Sequence, residues 1–357
     1  DGEIAPRLAD WRTQGYVPRA VWRAFGEMGF LLPEMPESFG GSGVSLAWQL
    51  VVQDELARAE VPGITAVHTV ASHYLLAYGT EEQKCRWLPK LVSGEHVAAI
   101  AMTEPGCGSD LKAMRTSARR DGDEYVIDGA KTFITSGYTC TLLVLACRTG
   151  GLGSKGVSLI VLETENLPGF RVGQRLEKIG QHASDTAELY FDGVRVSADN
   201  LLGGAEGRGF TQLMSQLPFE RMLIAVPAAA VIERAVELTL QYTRERKAFG
   251  QSIAEFQNTR FRLAEAATIA HVVRSFVNDC IQRLVDGTLD DEAAYMAKWW
   301  CTELQGRVVD ECLQFFGGYG YMTDYPIARL YADARAQRIY GGANEIMKDL
   351  IARRLFA

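Results

Sequence analysis

"VAAIAMTEPGCGSD", residues 97–110, is where the chain changes texture. The apolar run reads as a short strand. In the turn after it, Gly106 and Gly108 free backbone N–H groups that can cradle an anion such as phosphate. Taken alone, that turn is an ordinary loop. Its value is as a boundary, because the two sides of it differ.

Before it the sequence is helical. "VPRAVWRAFGEMGFL" (17–31) sets Val21, Trp22, Phe25 and Met28 on one face at three- and four-residue spacing, and "SLAWQLVVQDELARAE" (45–60) repeats the pattern. "TEEQKCRWLPKL" (80–91) opens with Thr80 and Gln83 at capping-box spacing. After the boundary, short β-rich runs alternate with Gly, Asp and Ser: "EYVIDGAKTFITSG" (124–137), "TLLVLACRT" (141–149), "GVSLIVLET" (156–164) and "AELYFDGVRV" (187–196). This pattern predicts a small antiparallel barrel or sandwich, with Asp128-Gly129 as a hairpin turn.

From about residue 206 helical periodicity returns. Residues 219–246, 254–287 and 290–318 are long amphipathic stretches, and 344–356 is a short last one. In the second, Phe256, Leu263, Ala270, Val273, Val277 and Ile281 form a stripe, and Gly317-Gly318 ends the third as a C-cap. Side by side they predict a four-helix bundle. "GGAEGRGF" (203–210) lacks the order of a nucleotide loop and reads as a linker. The expected fold class is therefore α+β: an N-terminal helical domain (1–97), a middle β domain (98–205) and a C-terminal helical bundle (206–357).

The bulk numbers narrow the function. The chain has 357 residues, too many for one compact core. Its net charge of −7 gives no basic surplus for nucleic acid. There is no apolar run of about 18 residues, so no membrane span is expected, and the polar start lacks a signal-peptide core. Seven cysteines form no C-x-x-C pair and read as reduced thiols, which places the protein in the cytoplasm. Five histidines form no metal motif, so no metal is expected.

Three further stretches are ordinary singly: "KTFITSG" (131–137), "RKAFGQSIAEFQ" (246–257) and "LQFFGGYGYM" (313–322). With "AMTEPGCGSD" and "RIYGGANEI" (338–346), in this order and in an α-β-α chain, they resemble the acyl-CoA dehydrogenase family over essentially the whole length. The resemblance implies FAD. It places Met102 and Thr103 against the flavin ring, with Gly108 and Ser109 near the pyrophosphate or the substrate's pantetheine. Phe133 would cover one ring face, and Thr135 would bond near N5. Arg246, Phe249, Gln257, Gln314 and Gly318 match the group that reaches the ADP half from a neighbouring subunit, which implies a homotetramer. Ala343 and Glu345 also fall at cofactor positions. Most of the family has Thr at the place of Ala343, and Asn344 is the neighbour that could replace its hydroxyl.

Most of the family carries its catalytic Glu where this chain has Gly341. A subgroup similar to long-chain and isovaleryl-CoA dehydrogenases places it instead in an L-P-x-E-R segment, and "SQLPFERMLIA" (215–225) puts Glu220 there. Read without the resemblance, Pro218 and Glu220 are residue types of a helix's first turn. With it, Glu220 is the base that removes an α-proton. The Gly341 N–H would then steady the thioester oxygen, while Arg221, Tyr340, Gly342 and Ser109 lie along the substrate. The implied activity is FAD-dependent α,β-dehydrogenation of an acyl-CoA in fatty acid β-oxidation, with electron-transfer flavoprotein as acceptor. Two alternatives share the motifs: desaturation of a carrier-protein-bound acyl thioester, and a non-catalytic flavin-binding subunit. By the same analogy "VHTVASHYLLAYG" (67–79), with His68, His73 and Tyr74, would line the acyl pocket.

Overall fold

The structure, a computed structural model, describes residues 4–61 and 64–356. Five helices come first: α1 (Leu8–Gln14), α2 (Arg19–Glu27), α3 (Ala47–Arg58), α4 (Ala66–Tyr78) and α5 (Glu81–Val92). Seven strands follow: β1 (Ala98–Ala101), β2 (Ser117–Asp121), β3 (Glu124–Thr135), β4 (Leu142–Arg148), β5 (Val157–Glu163), β6 (Phe170–Arg175) and β7 (Thr186–Ser197). The remainder is α6 (Gly209–Glu245), a ribbon of β8 (Lys247–Ala248) and β9 (Gln251–Ser252), then α7 (Gln257–Val285), α8 (Asp291–Phe315), α9 (Pro326–Ala334) and α10 (Asn344–Leu355). The order of N-terminal helices, middle sheet and C-terminal helices is the expected one. The chain divides into two compact units. One comprises Asp1–Gln49, Gly63–Lys178 and His182–Gln216, and the other Leu50–Pro62, Ile179–Gln181 and Leu217–Ala357.

In the first unit the sheet is curled. Alternate residues of β4 and β5 serve two cores, as a two-residue period requires. Leu142, Val144, Val157 and Leu159 pack on Trp87, Leu88 and Tyr74 of the helices. Leu143, Leu145, Ile160 and Leu162 pack on Tyr125, Ile127 and Leu189 from the far side of the same sheet. Strand order is β1-β4-β2-β3-β7-β6, with β5 on β4. The sheet departs from an all-antiparallel pattern where β4 runs parallel to β1 and, at Ser117↔Arg148, to β2. The chain passes through the β2–β3 hairpin before β4 and so returns in the direction of β1.

Two local expectations are corrected. Asp128-Gly129 is no hairpin turn; it lies inside β3 at a register shift against β7. A Cβ at Gly129, whose φ is +149°, would overlap Thr116, so the glycine permits close passage of β2's lead-in. Asp128 Oδ1 accepts from the Gly193 N–H at 2.8 Å and so ties the irregularity to β7. The hairpin turns at Gly122-Asp123 instead. Met28 is exposed, because α2 stops at Glu27; Trp22 and Phe25 carry its buried face. The capping box at Thr80 and Gln83 is present, and Gln83 Nε2 also donates to the carbonyls of Asp199 and Leu201.

His68 and Tyr74 are buried and hydrogen-bonded within the first unit. The His68 ring is fully buried, with Nε2 3.0 Å from the Leu91 carbonyl and Nδ1 accepting from the Ala98 N–H at 3.1 Å. It joins the end of α5 to β1. Tyr74 donates to the Leu213 carbonyl, and His73 sits 2.7 Å from Glu34. Burial pushes the His68 pKa down to about 4. The unfolded ring gains its proton near pH 6.5 and the folded ring does not. Stability is therefore full above pH 6.5 and falls as pH drops from there to 4, by about 3 kcal/mol in total. Urea denaturation at pH 7 and pH 5 should show most of that loss, and His68→Gln should flatten the slope over the same window.

The second unit holds α6 from Leu217 onward, with α7 to α10. Leu263, Ala270, Val273 and Val277 form the buried stripe of α7; Ile281 is half-buried, and Phe256 is the N-cap just outside the helix. Arg274 of α7 grips Glu233 of α6 and Asp54 of α3, and Arg58 of α3 bonds Glu233 and Glu237. Gly317 follows α8 with φ +57°, as a C-cap position.

Candidate active site

The first unit presents the turn after β1. Glu104 and Cys107 exchange backbone hydrogen bonds of 2.9 and 3.1 Å, which closes the turn. A buried ion pair pins it from beneath. Lys131 Nζ donates to Glu104 Oε1 and to the Met102 carbonyl, both at 2.9 Å. Glu104 also accepts from the Arg115 and Thr116 N–H groups at 2.7 and 2.9 Å. Burial opposes its ionisation, but Lys131 and these donors outweigh it and hold the carboxyl below its usual range. The Thr132 N–H donates to the Thr103 carbonyl at 3.0 Å and couples the turn to β3. Removing Lys131 alone (Lys131→Met) leaves a buried carboxylate short of its partner and should cost about 3–5 kcal/mol. The double variant with Glu104→Gln should cost clearly less, a coupling readable from urea midpoints.

Above this clamp, Met102, Thr103 and Thr135 are half-buried, while Gly108 and Ser109 are exposed. A Cβ added at Gly106 or Gly108 meets nothing within 4 Å, so the backbone there stands open to a ligand. Phe133 is 67% exposed with φ +58°, at a register shift between Lys131 and Ile134. A left-handed aromatic residue costs about 1–3 kcal/mol and persists where something else requires it. Here an aromatic face is turned out of a strand, beside an open backbone turn.

In the second unit, Glu220 lies well inside α6. The helix starts at Gly209 and runs through Pro218, so the first-turn reading of Glu220 is corrected. A proline inside a helix gives up one backbone bond, yet here the helix continues through it. Glu220 is 8% exposed and Arg221 2%. The Arg221 guanidinium lies 4.3 Å over the Tyr295 ring, and its Nε and Nη1 have no hydrogen-bond partner among the described residues. Burial pushes its pKa below the usual value, partly offset by Tyr295 and Glu220.

Gly341 and Gly342 have φ of +63° and +91°. A Cβ at Gly341 would overlap Cδ1 of Ile224. Glu220 and Ile224 are four apart on α6, so they share a face. The buried carboxylate therefore sits one helical turn from the residue that packs on Gly341. Ala343 is the N-cap of α10 and makes no side-chain cap bond. Asn344 does not stand in for the missing hydroxyl, because its amide is turned inward to Lys298, Thr302 and Glu303. Glu345 is exposed on the first turn of α10, and the Tyr340 hydroxyl accepts from Gln181 at 3.3 Å.

A third cluster is an open groove of about 460 Å³ lined by Tyr242, Arg246, Gly318 and Tyr319, among others. Arg246 lies 5.9 Å over Tyr319. Gln314 is exposed just before it. Phe249 stands outside the groove on the β8–β9 turn, 96% exposed with φ +51°. Gln257 is exposed at the start of α7. The sequence reading missed Ile224, Tyr295 and Lys298. Lys298 left a trace: it interrupts the buried stripe Ala294, Ala297, Cys301 of α8.

The comparisons with known proteins identify the family. The N-terminal, middle and C-terminal domains of acyl-CoA dehydrogenase match residues 1–95, 99–194 and 207–356. The chain belongs to the acyl-CoA dehydrogenase family. It is 42% identical to the long-chain specific acyl-CoA dehydrogenase of Mus musculus mitochondria, over 99% of this chain and 83% of the mouse protein. The crystal structure of an acyl-CoA dehydrogenase from Geobacillus kaustophilus superposes with a TM-score of 0.96 at 46% identity, covering 99% of this chain and 94% of that one. A chain described as electron transferring flavoprotein of Acidaminococcus fermentans matches with a TM-score of 0.93 at 34% identity, covering 99% and 93%.

The family's cofactor is FAD. Features of each unit, taken separately, fit it: an open turn at Gly108 and an outward aromatic face at Phe133 in the first, and a groove with an arginine at Arg246 in the second. Among the described residues no group of His, Cys, Asp and Glu could hold a metal, and no helix is long and apolar enough to cross a membrane.

Proposed function

We propose that this protein oxidises a saturated acyl-CoA to the trans-2-enoyl-CoA, with Glu220 as the base. One observation carries the assignment of the base. Ile224 fills the space into which a side chain at 341 would project, and Glu220 lies one turn before it on the same helix face. A side chain at the position used by most of the family would meet Cδ1 of Ile224, and a buried carboxylate lies one helical turn before that isoleucine.

The Glu220 carboxylate takes the proton from the acyl α-carbon. Charge then builds on the thioester oxygen, where the Gly341 N–H donates to it. A glycine serves there because the donor is backbone. Arg221 holds its charge near Glu220 through the Tyr295 ring, and Ser109, Tyr340 and Gly342 flank the substrate. Bound FAD supplies the acceptor for the hydride that leaves the β-carbon. Met102, Thr103, Gly108, Phe133 and Thr135 would hold its ring half. Ala343 and Glu345 would meet the remainder, and Arg246, Phe249, Gln257, Gln314 and Gly318 of a neighbouring copy would reach its ADP half. Phe249, 96% exposed at φ +51° with its ring 6.2 Å from Phe256, leaves most of its surface open to a neighbouring copy, which supports a homotetramer. Electron-transfer flavoprotein is the acceptor we favour, and the cytoplasm the compartment, the latter supported by seven free thiols. The division into domains at 1–97, 98–205 and 206–357 follows the expected order of helices, sheet and helices.

Anaerobic mixing of the FAD-loaded protein with saturated acyl-CoAs of graded length tests the reaction. Bleaching of the flavin absorbance is expected, strongest at the preferred length. Absence of bleaching with every acyl-CoA would overturn the reading.

A further inference from the structure

The segment Gly341–Ala343 has no side chain larger than a methyl, so no side chain of its own fastens it; its last carbonyl, on Ala343, accepts from the Ile346 and Met347 N–H groups at 2.9 and 3.2 Å. Its N-terminal end is held where the Tyr340 N–H donates to the Ala336 carbonyl at 3.2 Å. Its other end is held by α8. Lys298 is fully buried, and its Nζ donates to the Gly342 carbonyl at 2.6 Å and to Asn344 Oδ1 at 3.0 Å. Asn344 is itself 2% exposed and donates to Thr302 Oγ1 at 3.1 Å and to Glu303 Oε2 at 3.3 Å. The Thr302 hydroxyl donates back to the Lys298 carbonyl at 2.9 Å.

A buried ammonium is a poor way to pack a helix. Burial pushes the Lys298 pKa down to about 8, and Arg221 adds repulsion. A Met or Leu would fill the stripe without that cost. What the lysine provides is a donor that reaches across to a loop carbonyl. Two successive glycines are otherwise the freest stretch a backbone can have. Ile224 limits them on one side and Lys298 stakes them on the other.

We propose that Lys298, with Asn344, is a positioning residue that fixes the Gly341–Gly342 backbone and so aims the Gly341 N–H at the substrate's thioester oxygen. The proposal rests on the reading of Gly341 as the oxygen's donor. It assigns the charge of α8 to the reaction's geometry, and neither residue touches the reacting atoms.

The test uses the FAD-loaded protein and a 3-oxoacyl-CoA, whose acidic α-carbon gives an enolate with its own ultraviolet band. Wild-type protein should lower the ligand's apparent pKa on binding. Lys298→Met should raise that bound pKa by about one unit, a tenfold loss of enolate stabilisation. Affinity for a thioether analogue without the carbonyl should stay unchanged, which a general loosening of the fold would not allow. Should Lys298→Met fail to fold, Asn344→Ala carries the test, with a smaller shift in the same direction. A folded variant with the wild-type bound pKa overturns the role of Lys298 while leaving Gly341 as donor. No pKa shift even in wild type overturns both.

Discussion

Glu220→Gln should slow flavin reduction by acyl-CoA by about 10²–10⁴-fold, the usual contribution of a general base. Glutamine keeps the volume and one acceptor oxygen at a site only 8% exposed, so the fold is little disturbed. FAD content and affinity for the enoyl-CoA product should stay near wild type. The variant would thus bind both partners and fail at proton removal, which single-turnover mixing separates from binding. The structure sharpens this expectation. Had α6 begun near Leu217, Glu220 would be a first-turn acid worth a fraction of a kcal/mol to the helix. Because α6 begins at Gly209, that role is gone. Equal bleaching by wild type and Glu220→Gln would send the search for the base elsewhere.

The misplaced start of α6 shows where sequence reading reaches its limit. Pro218 is a strong local signal for a helix start, but the preceding Phe210, Leu213 and Met214 belong to a core cluster that packing completes. Tertiary burial overrode propensity. Asp128-Gly129 failed in the same way. An Asp-Gly pair is a turn signal only where the strand ends, and here the strand continues, with Asp128 fastened to Gly193. Signals with both ends in one short stretch were legible: the Thr80–Gln83 box, the α7 stripe and the glycine cap after α8. The order of domains was legible for the same reason, since each period persists for many residues.

The candidate site divides along the same line. Residues named by motif, such as Glu220 and Gly341, can be found one at a time. Their relation cannot, because it runs through Ile224, which looks like any core isoleucine in "FERMLIA". Lys298 and Asn344 are likewise 46 positions apart and meet through one hydrogen bond. Family analogy sets His68 in the segment expected at the acyl pocket. Its two ring nitrogens are spent on Leu91 and Ala98, which only coordinates reveal.

Ile224 also decides whether the base can be moved. Gly341→Glu, made in the Glu220→Gln background, places a carboxylate where most of the family has it. It should nevertheless fail to restore activity. The new Cβ overlaps Ile224, and φ of +63° is a left-handed conformation that a non-glycine residue adopts at a cost of about 1–2 kcal/mol. Overpacking adds about 1–3 kcal/mol, so the double variant should be less stable than wild type by about 2–5 kcal/mol. It should also push the segment staked by Lys298 out of register, so that the N–H at residue 341 is no longer aimed at the thioester oxygen. Adding Ile224→Ala relieves the overlap without touching the backbone strain. The triple variant should therefore regain the overpacking share of the stability, and only in it should acyl-CoA again bleach the flavin. The two substitutions at 224 and 341 are thus strongly non-additive, in urea midpoint and in reduction rate alike. Restoration by Gly341→Glu alone would show that Ile224 yields freely, and that the location of the base rests on something other than this contact.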